Sequence, residues 1–308
     1  MPICFRVRAP DPGVLIIMKS LRTAVLALAL SAATAFPAMA EPVKIGSKNF
    51  TEQFIVAEIY AQALEKAGVE VEKRLNLGAT QIAHTALTSG EIDLYPEYTG
   101  TALAAVVKGE LTSDADQIYT AVKKFYEENL DLTLLEPTAI NNGYAIILLP
   151  EKAEEYKLKT LTDLGPASKD LTFGAEGTFG ERKDGLPGLE RVYGIKFKEF
   201  VQFAKLGIRY SALTSEQIDV SFGFSTDWQI EDSKLAVLED DKGLFPPYYL
   251  VPVVRQDALE ANPKIAETLN KIAPLLTNEK MRAMNAAVER DRKEPAEVAA
   301  EFLQSEGL

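Results

Sequence analysis

Apolar residues in this chain fall into short blocks of two different periods. Val43–Ser47, Val69–Leu77, Ile92–Tyr95, Leu132–Glu136 and Tyr144–Leu149 are runs of strand length. Helical spacing fills the gaps between them. Thr51 is placed to cap a helix reaching about Ala67, with Phe54, Ile55, Glu58 and Ile59 on one face and Gly68 ending it. Thr80–Ser89 predicts a shorter helix stopped by Gly90. Ser113 and Asp116 have near capping-box spacing ahead of a helix that runs to about Asn129. Strands alternating with helices predict an α/β fold.

The middle of the chain is patterned differently. Thr172–Ala175, Phe197–Phe203, Asp219–Phe224 and Leu235–Glu239 predict strands. Gly177, Gly180, Gly185 and Gly188 punctuate a segment that predicts loop. Tyr248–Val254 contains Pro252, which predicts an edge or irregular strand. From Asp257 to Leu308 the pattern is helical, in three or four pieces separated by Pro263, Pro274 and Pro295. One internal echo stands out. Ala86-Leu-Thr-Ser-Gly-Glu-Ile-Asp93 recurs as Ala212-Leu-Thr-Ser-Glu-Gln-Ile-Asp219, and the same offset pairs Tyr98 with Phe224 and Thr101 with Asp227. A helix-turn-strand unit favours such residues by itself. Two like halves would instead set both aromatic positions just past a strand end, where α/β sheets bind ligands.

The first forty residues do not follow this pattern. Lys19 and Arg22 precede an apolar run from Ala24 to Leu30, small residues follow to Ala35, and Ala38-Met39-Ala40 has the form of a cleavage site. This predicts a secretory signal peptide over residues 1–40, with Met18 as the expected true initiator. The apolar run is too short to span a bilayer. Removal takes Arg6, Arg8, Lys19 and Arg22 against Asp11, so the exported chain is more acidic than the formal net of −12 for all 308 residues. It also takes Cys4, the only cysteine, and a chain without thiols suits an oxidising compartment. The product is expected to be periplasmic. Such acidity repels phosphate backbones and argues against a nucleic-acid partner.

Candidate catalytic chemistry is thin. His84 is the only histidine and sits among Ile82, Ala83 and Leu87, so it predicts a surface or half-buried helix residue. No G-x-S-x-G, G-x-G-x-x-G or Walker loop is present, and no cofactor is implied. Binding signals are stronger. Lys48 follows the first strand at a helix start, where amides and an ammonium favour a carboxylate. Tyr95-Pro-Glu-Tyr98-Thr-Gly-Thr101 is aromatic where polar turn residues are usual. Arg182 lies in the glycine-rich segment, and Phe245-Pro-Pro-Tyr248-Tyr249 is a rigid aromatic turn. Several ring faces together suit a quaternary ammonium, which cannot donate hydrogen bonds.

The chain resembles the substrate-binding proteins of ABC importers for compatible solutes: glycine betaine, proline betaine, choline and carnitine. The resemblance rests on Gly46-Ser-Lys-Asn-Phe-Thr-Glu-Gln53, Tyr95-Pro-Glu-Tyr-Thr-Gly-Thr101, Arg182-Lys-Asp-Gly185, Ser225-Thr-Asp227 and Asp240-Asp-Lys242 through Tyr248, in order. It implies a two-lobed periplasmic binding protein fold of type II, with two hinge crossings and ligand in the interlobe cleft. Residues 42–141 plus 249–308 would form the first lobe and 142–248 the second. It further implies that Tyr98, Tyr144, Tyr248 and Phe224, the last replacing a usual Tyr, surround a trimethylammonium group, while Lys48, Thr101 and Arg182 hold the ligand carboxylate. Asn142 stands where an acid would favour a bare cation. With Lys48 and Arg182 both kept, the resemblance implies a zwitterion such as glycine betaine, with ergothioneine, choline or an amino acid as alternatives. The implied partners are a membrane permease with its cytoplasmic ATPase, or a chemoreceptor in a sensory role. The protein is expected to be a monomer and not an enzyme.

Overall fold

A computed structural model describes residues 1, 3, 41–110, 112–203 and 208–308. The expected signal peptide, its cleavage site and Met18 lie outside the described residues. Among the described residues ten strands form two five-stranded sheets. In chain order they are β1 Val43–Lys48, β2 Val71–Gly78, β3 Leu94–Tyr98, β4 Leu132–Leu134, β5 Tyr144–Leu148, β6 Thr172–Glu176, β7 Glu199–Phe203, β8 Val220–Phe224, β9 Ala236–Leu238 and β10 Leu250–Arg255. The first sheet runs β2-β1-β3-β10-β4 and the second β7-β6-β8-β5-β9. In both, the first three strands are parallel and the fourth antiparallel to its two neighbours.

The sequence echo is the local sign of this shared topology. Asp93 Oδ2 accepts from Lys44 N (2.8 Å), and Asp219 Oδ2 accepts from Thr172 N (2.8 Å). The backbone amides of the same two aspartates donate to Lys44 O and Thr172 O. Each aspartate thus ties the entry of one parallel strand to its neighbour. Tyr98 and Phe224 are the last residues of β3 and β8.

Helices cover both faces of each sheet, which is why inner strands such as β5 and β10 read as nearly unbroken apolar runs. In the first half these are α1 Thr51–Lys66, α2 Thr80–Thr88, the single turn α3 Thr99–Ala102 continued by a π-helical turn over Leu103–Val107, and α4 Ala115–Asn129. The second half carries α5 Pro150–Tyr156, α6 Leu161–Ala167, α7 Leu186–Tyr193, α8 Ile208–Thr214 and α9 Gln229–Asp232. The tail forms α10 Gln256–Ala261, α11 Lys264–Ile272, α12 Asn278–Glu289 and α13 Pro295–Ser305. Helix α1 is buried on most sides, its Glu52, Gln53 and Glu58 included. It is buried between the first sheet and α11–α13, with Ile45, Ile59, Leu269 and Phe302 in one core. Phe173, Phe179 and Phe222 anchor the equivalent core of the second sheet. Among the described residues no helix is long and apolar enough to cross a membrane.

The chain passes between the sheets twice, and the two passages run side by side. Asn142 N donates to Tyr248 O and Leu250 N to Ile140 O, both at 3.0 Å. Asn278, at the start of α12, grips the backbone of Asn141 from both sides, accepting from its N (2.9 Å) and donating to its O (3.0 Å).

Several sequence expectations change. Pro252 is not at an edge: β10 lies between β3 and β4. The strand tolerates it because Pro252 pairs with Pro96, and its carbonyl accepts from Leu135 N just past the short β4, where no ladder amide is required. Strand β3 starts at Leu94, because Asp93 is spent on its neighbour strand. Phe50, not Thr51, is the N-cap of α1 and uses no side chain. Asp114, not Ser113, caps α4 by accepting from Gln117 N. The glycine-rich segment is only partly loop. Gly188 lies inside α7, and Gly185 is required by contact, since a Cβ there would meet Phe179 O at 2.0 Å.

Candidate functional site

A cavity of about 910 Å³ lies where β1, β3 and β8 end. Its wall includes all eight residues expected at the ligand: Lys48, Tyr98, Thr101, Asn142, Tyr144, Arg182, Phe224 and Tyr248. It also includes Phe50, Glu52, Arg209, Tyr210, Asp227 and Asn285, which sequence reasoning did not single out as ligand residues.

Three of the four expected rings form one aromatic wall. Tyr144 stacks on Phe224 (centroids 5.5 Å apart, 28° between planes) and meets Tyr248 edge-on at 6.1 Å. The register explains the first contact, because Tyr144 and Phe224 are direct cross-strand partners on β5 and β8. Tyr248 reaches the wall past Gly100, where a Cβ would come within 2.9 Å of its ring. Tyr98 is not part of this wall and stacks instead on Phe50 at 6.4 Å.

The cations in the wall already have acids of their own. Lys48 Nζ is buried and donates to Glu97 Oε1 at 2.5 Å and to Thr80 Oγ1 at 3.4 Å. Glu97, fully buried, also accepts from Tyr98 N and the Tyr95 hydroxyl. The Lys48 ammonium stands 4.7 Å from the Tyr98 ring centroid. Arg182 binds Asp184 bidentately through Nε (2.9 Å) and Nη2 (2.7 Å), which raises its already high pKa further. Its Cζ lies 5.5 Å from the Tyr144 ring, and the Tyr248 hydroxyl donates to the same aspartate. Arg209 donates to Asp227 Oδ2 at 2.6 Å and lies over Phe224 at 5.6 Å. The Nη1 edge of Arg182 remains on the side away from the Asp184 fork, and the side chain is 41% exposed. Lys48, by contrast, is committed to Glu97.

Glu52 differs from these acids. It lies in the first turn of α1, buried, and its partners are neutral. Oε1 accepts from the Tyr98 hydroxyl (2.6 Å) and Asn142 Nδ2 (3.1 Å), and Oε2 from Asn285 Nδ2 (3.3 Å), with the Thr226 hydroxyl beside it. Burial pushes its pKa up against the pull of these donors, and Asp227 adds to the rise. Burial first, and then the Glu52 charge, push the Tyr98 phenol well above its ordinary value. A signal for Glu52 was present, since an acid two residues before the apolar face of a buried helix must meet donors. Arg209 and Asn285 carry no local signal, because tertiary folding brings them in.

His84 is half-buried against Tyr126 at 5.7 Å, away from this cavity, and burial lowers its pKa. Among the described residues no cluster of His, Cys, Asp or Glu is arranged to hold a metal.

Two sheets of one topology, joined by two adjacent passages around a ring-lined cavity, define a two-lobed solute receptor of the type II periplasmic binding protein fold. The chain belongs to the family described as the substrate binding domain of ABC-type glycine betaine transport systems, whose model matches residues 41–305. It is similar to a glycine-betaine-binding protein of Pseudomonas aeruginosa, with 36% identity over 88% of this chain and 90% of that one. It is also similar to an ergothioneine transport permease/ergothioneine binding protein, EgtU, of Helicobacter pylori. There the identity is 35% over 87% of this chain, which spans only 48% of that longer protein. A solved structure described as a glycine betaine/carnitine/choline ABC transporter superposes with a TM-score of 0.80 at 31% identity, covering 86% of this chain and 98% of that one. The protein is therefore the solute-binding component of an ABC importer. It binds a small molecule, works with a permease and is not an enzyme.

Proposed function

We propose that the protein is a periplasmic receptor for a zwitterionic quaternary ammonium solute, which it delivers to the permease and ATPase of its importer. The observation that carries this reading is the wall of Tyr144, Phe224 and Tyr248 beside Arg182. Ring faces attract a methylated nitrogen, which forms no hydrogen bonds, and a guanidinium edge is suited to a carboxylate. In this reading the ammonium rests on the wall, and Arg182 holds the carboxylate through its Nη1 edge, with Thr101 nearby. Lys48 acts mainly through Tyr98, by fixing that ring. Residues 42–141 with 249–308, and 142–248, are the two lobes, and residues 1–40 are the export signal. The receptor works as a monomer.

A bulkier zwitterion is favoured by one further observation. A cavity of about 910 Å³ falls in the range that takes drug-sized ligands, and glycine betaine is far smaller. Carnitine and ergothioneine keep the methylated nitrogen and carboxylate and fill more of that space. Titration calorimetry against glycine betaine, carnitine, ergothioneine and unmethylated amino acids tests both readings. Binding confined to methylated zwitterions supports the class. Preference for an unmethylated amino acid overturns it.

A further inference from the structure

Among the described residues lining the cavity, each buried or half-buried cation is matched by its own acid. Lys48 has Glu97, Arg182 has Asp184 and Arg209 has Asp227. Two lining carboxyls are left over: Glu289, which is exposed and accepts from the Trp228 indole, and Glu52, which is buried. Among the described residues no lysine or arginine lies within ion-pair distance of Glu52, and its hydrogen-bond partners are two amides and two hydroxyls. A glutamine could take the same place: its oxygen would accept from Asn285, and its amide would donate to Asn142 Oδ1, which has no partner, once that side chain turns, and to the Tyr98 hydroxyl, which can accept as well as donate. A structural role therefore does not call for a carboxylate, and burying one without a cation is costly. What a carboxylate adds, and an amide cannot, is charge.

We propose that Glu52 sets the charge preference of the cavity by supplying the counter-charge for the ligand's quaternary nitrogen. This rests on the quaternary ammonium reading given above. Three resident cations repel an incoming ammonium, and their three acids only cancel them. Glu52 tips the balance toward attraction. The acid that is absent at Asn142 is thus provided by another element, since Glu52 Oε1 accepts from the Asn142 amide itself. The carboxylate also holds the Tyr98 hydroxyl and so orients a ring that lines the cavity outside the Tyr144 cluster. A zwitterion carries its own counter-charge and depends on Glu52 less than a bare cation does.

The test measures choline and glycine betaine side by side on the full exported chain, with choline read by displacement of glycine betaine. Glu52→Gln should raise the ratio of glycine betaine to choline affinity by about tenfold or more, a differential that a packing defect would not produce. Asp184→Asn removes a buried carboxylate beside the exposed Arg182, adds one net positive charge and should move the ratio the same way, which keeps the test open should Glu52→Gln fail to fold. Equal changes for both ligands, or an unmoved ratio in the variants that fold, overturn the inference alone. So does a wild type that takes glycine betaine and ignores choline altogether. A wild type that binds neither overturns the quaternary ammonium reading, and this inference with it.

Discussion

Lys48 and Tyr98 form a cation–π pair inside the cavity, with the ammonium 4.7 Å from the ring centroid. The same ammonium is ion-paired to Glu97, so ring, cation and acid form one buried unit. Lys48 thereby fills a ring face that the sequence reserves for the ligand. Tyr144 with Arg182 and Phe224 with Arg209 repeat the arrangement more loosely.

Breaking that unit on one side should be expensive. Glu97→Gln leaves a buried ammonium without its counter-charge and should destabilise the ligand-free protein by about 3–5 kcal/mol. The double variant with Lys48→Met should recover much of the loss. Urea unfolding of the single and double variants measures both.

Arg182 is a milder case. Its side chain is 41% exposed but Asp184 is buried, so Arg182→Ala should cost about 1–3 kcal/mol of stability, less than Glu97→Gln because the Tyr248 hydroxyl still donates to the stranded carboxylate. Its affinity for a zwitterion should fall at least about tenfold, or 1.4 kcal/mol. An affinity left unchanged in calorimetry would remove Arg182 from the site.

The aromatic wall predicts a graded series. Tyr144→Ala removes a ring that touches Phe224 and Tyr248 and should weaken binding by about 0.5–2 kcal/mol or more. Tyr144→Phe keeps the face and should lose less. Equal losses would transfer the role to the hydroxyl.

Gly100→Ala should act on the site indirectly, through the Tyr248 ring. The added methyl would approach Pro247 O at 2.8 Å and the Tyr248 ring at 2.9 Å, so that ring must shift. A cost of about 1–3 kcal/mol is expected from overpacking, together with weaker binding. Both are read from thermal unfolding with and without ligand.

Glu52 makes stability depend on pH in a defined direction. Its folded-state pKa lies above the ordinary 4.5, so the folded chain binds this proton more readily than the unfolded one. The group therefore favours folding below that value, and its contribution is lost as pH rises through the raised pKa. Glu52→Gln should unfold at a higher temperature than wild type near neutral pH, with the difference shrinking toward pH 4. A difference that grows on acidification would reverse the assignment.

Much of the architecture was readable because it is written in local periods. The helix-turn-strand echo ending in Asp93 and Asp219 reports two sheets of identical order, since both aspartates perform one local task. The place of Pro252 was not readable. A proline argues for an edge unless one knows that Pro96 faces it and that β4 stops short, and both facts are tertiary. At the site, the eight expected residues converge because each follows a strand end or a passage between sheets. How their charges pair was hidden. Glu97 sits inside the Tyr95–Thr101 motif, yet only the fold shows it beneath Lys48. Arg209 and Asn285 come from segments whose sequence resembles ordinary helix surface.

The paired passages at Asn141 and Tyr249 have a mechanical consequence. Two extended segments laddered edge to edge form a ribbon that flexes across its width and resists shear along its length. Asn278 rivets one side of that ribbon to α12. Admission of solute should then proceed as rotation about a single line, with each sheet moving as a plate. Paired spin labels would show this as one distance across the groove that lengthens while distances within either plate stay constant.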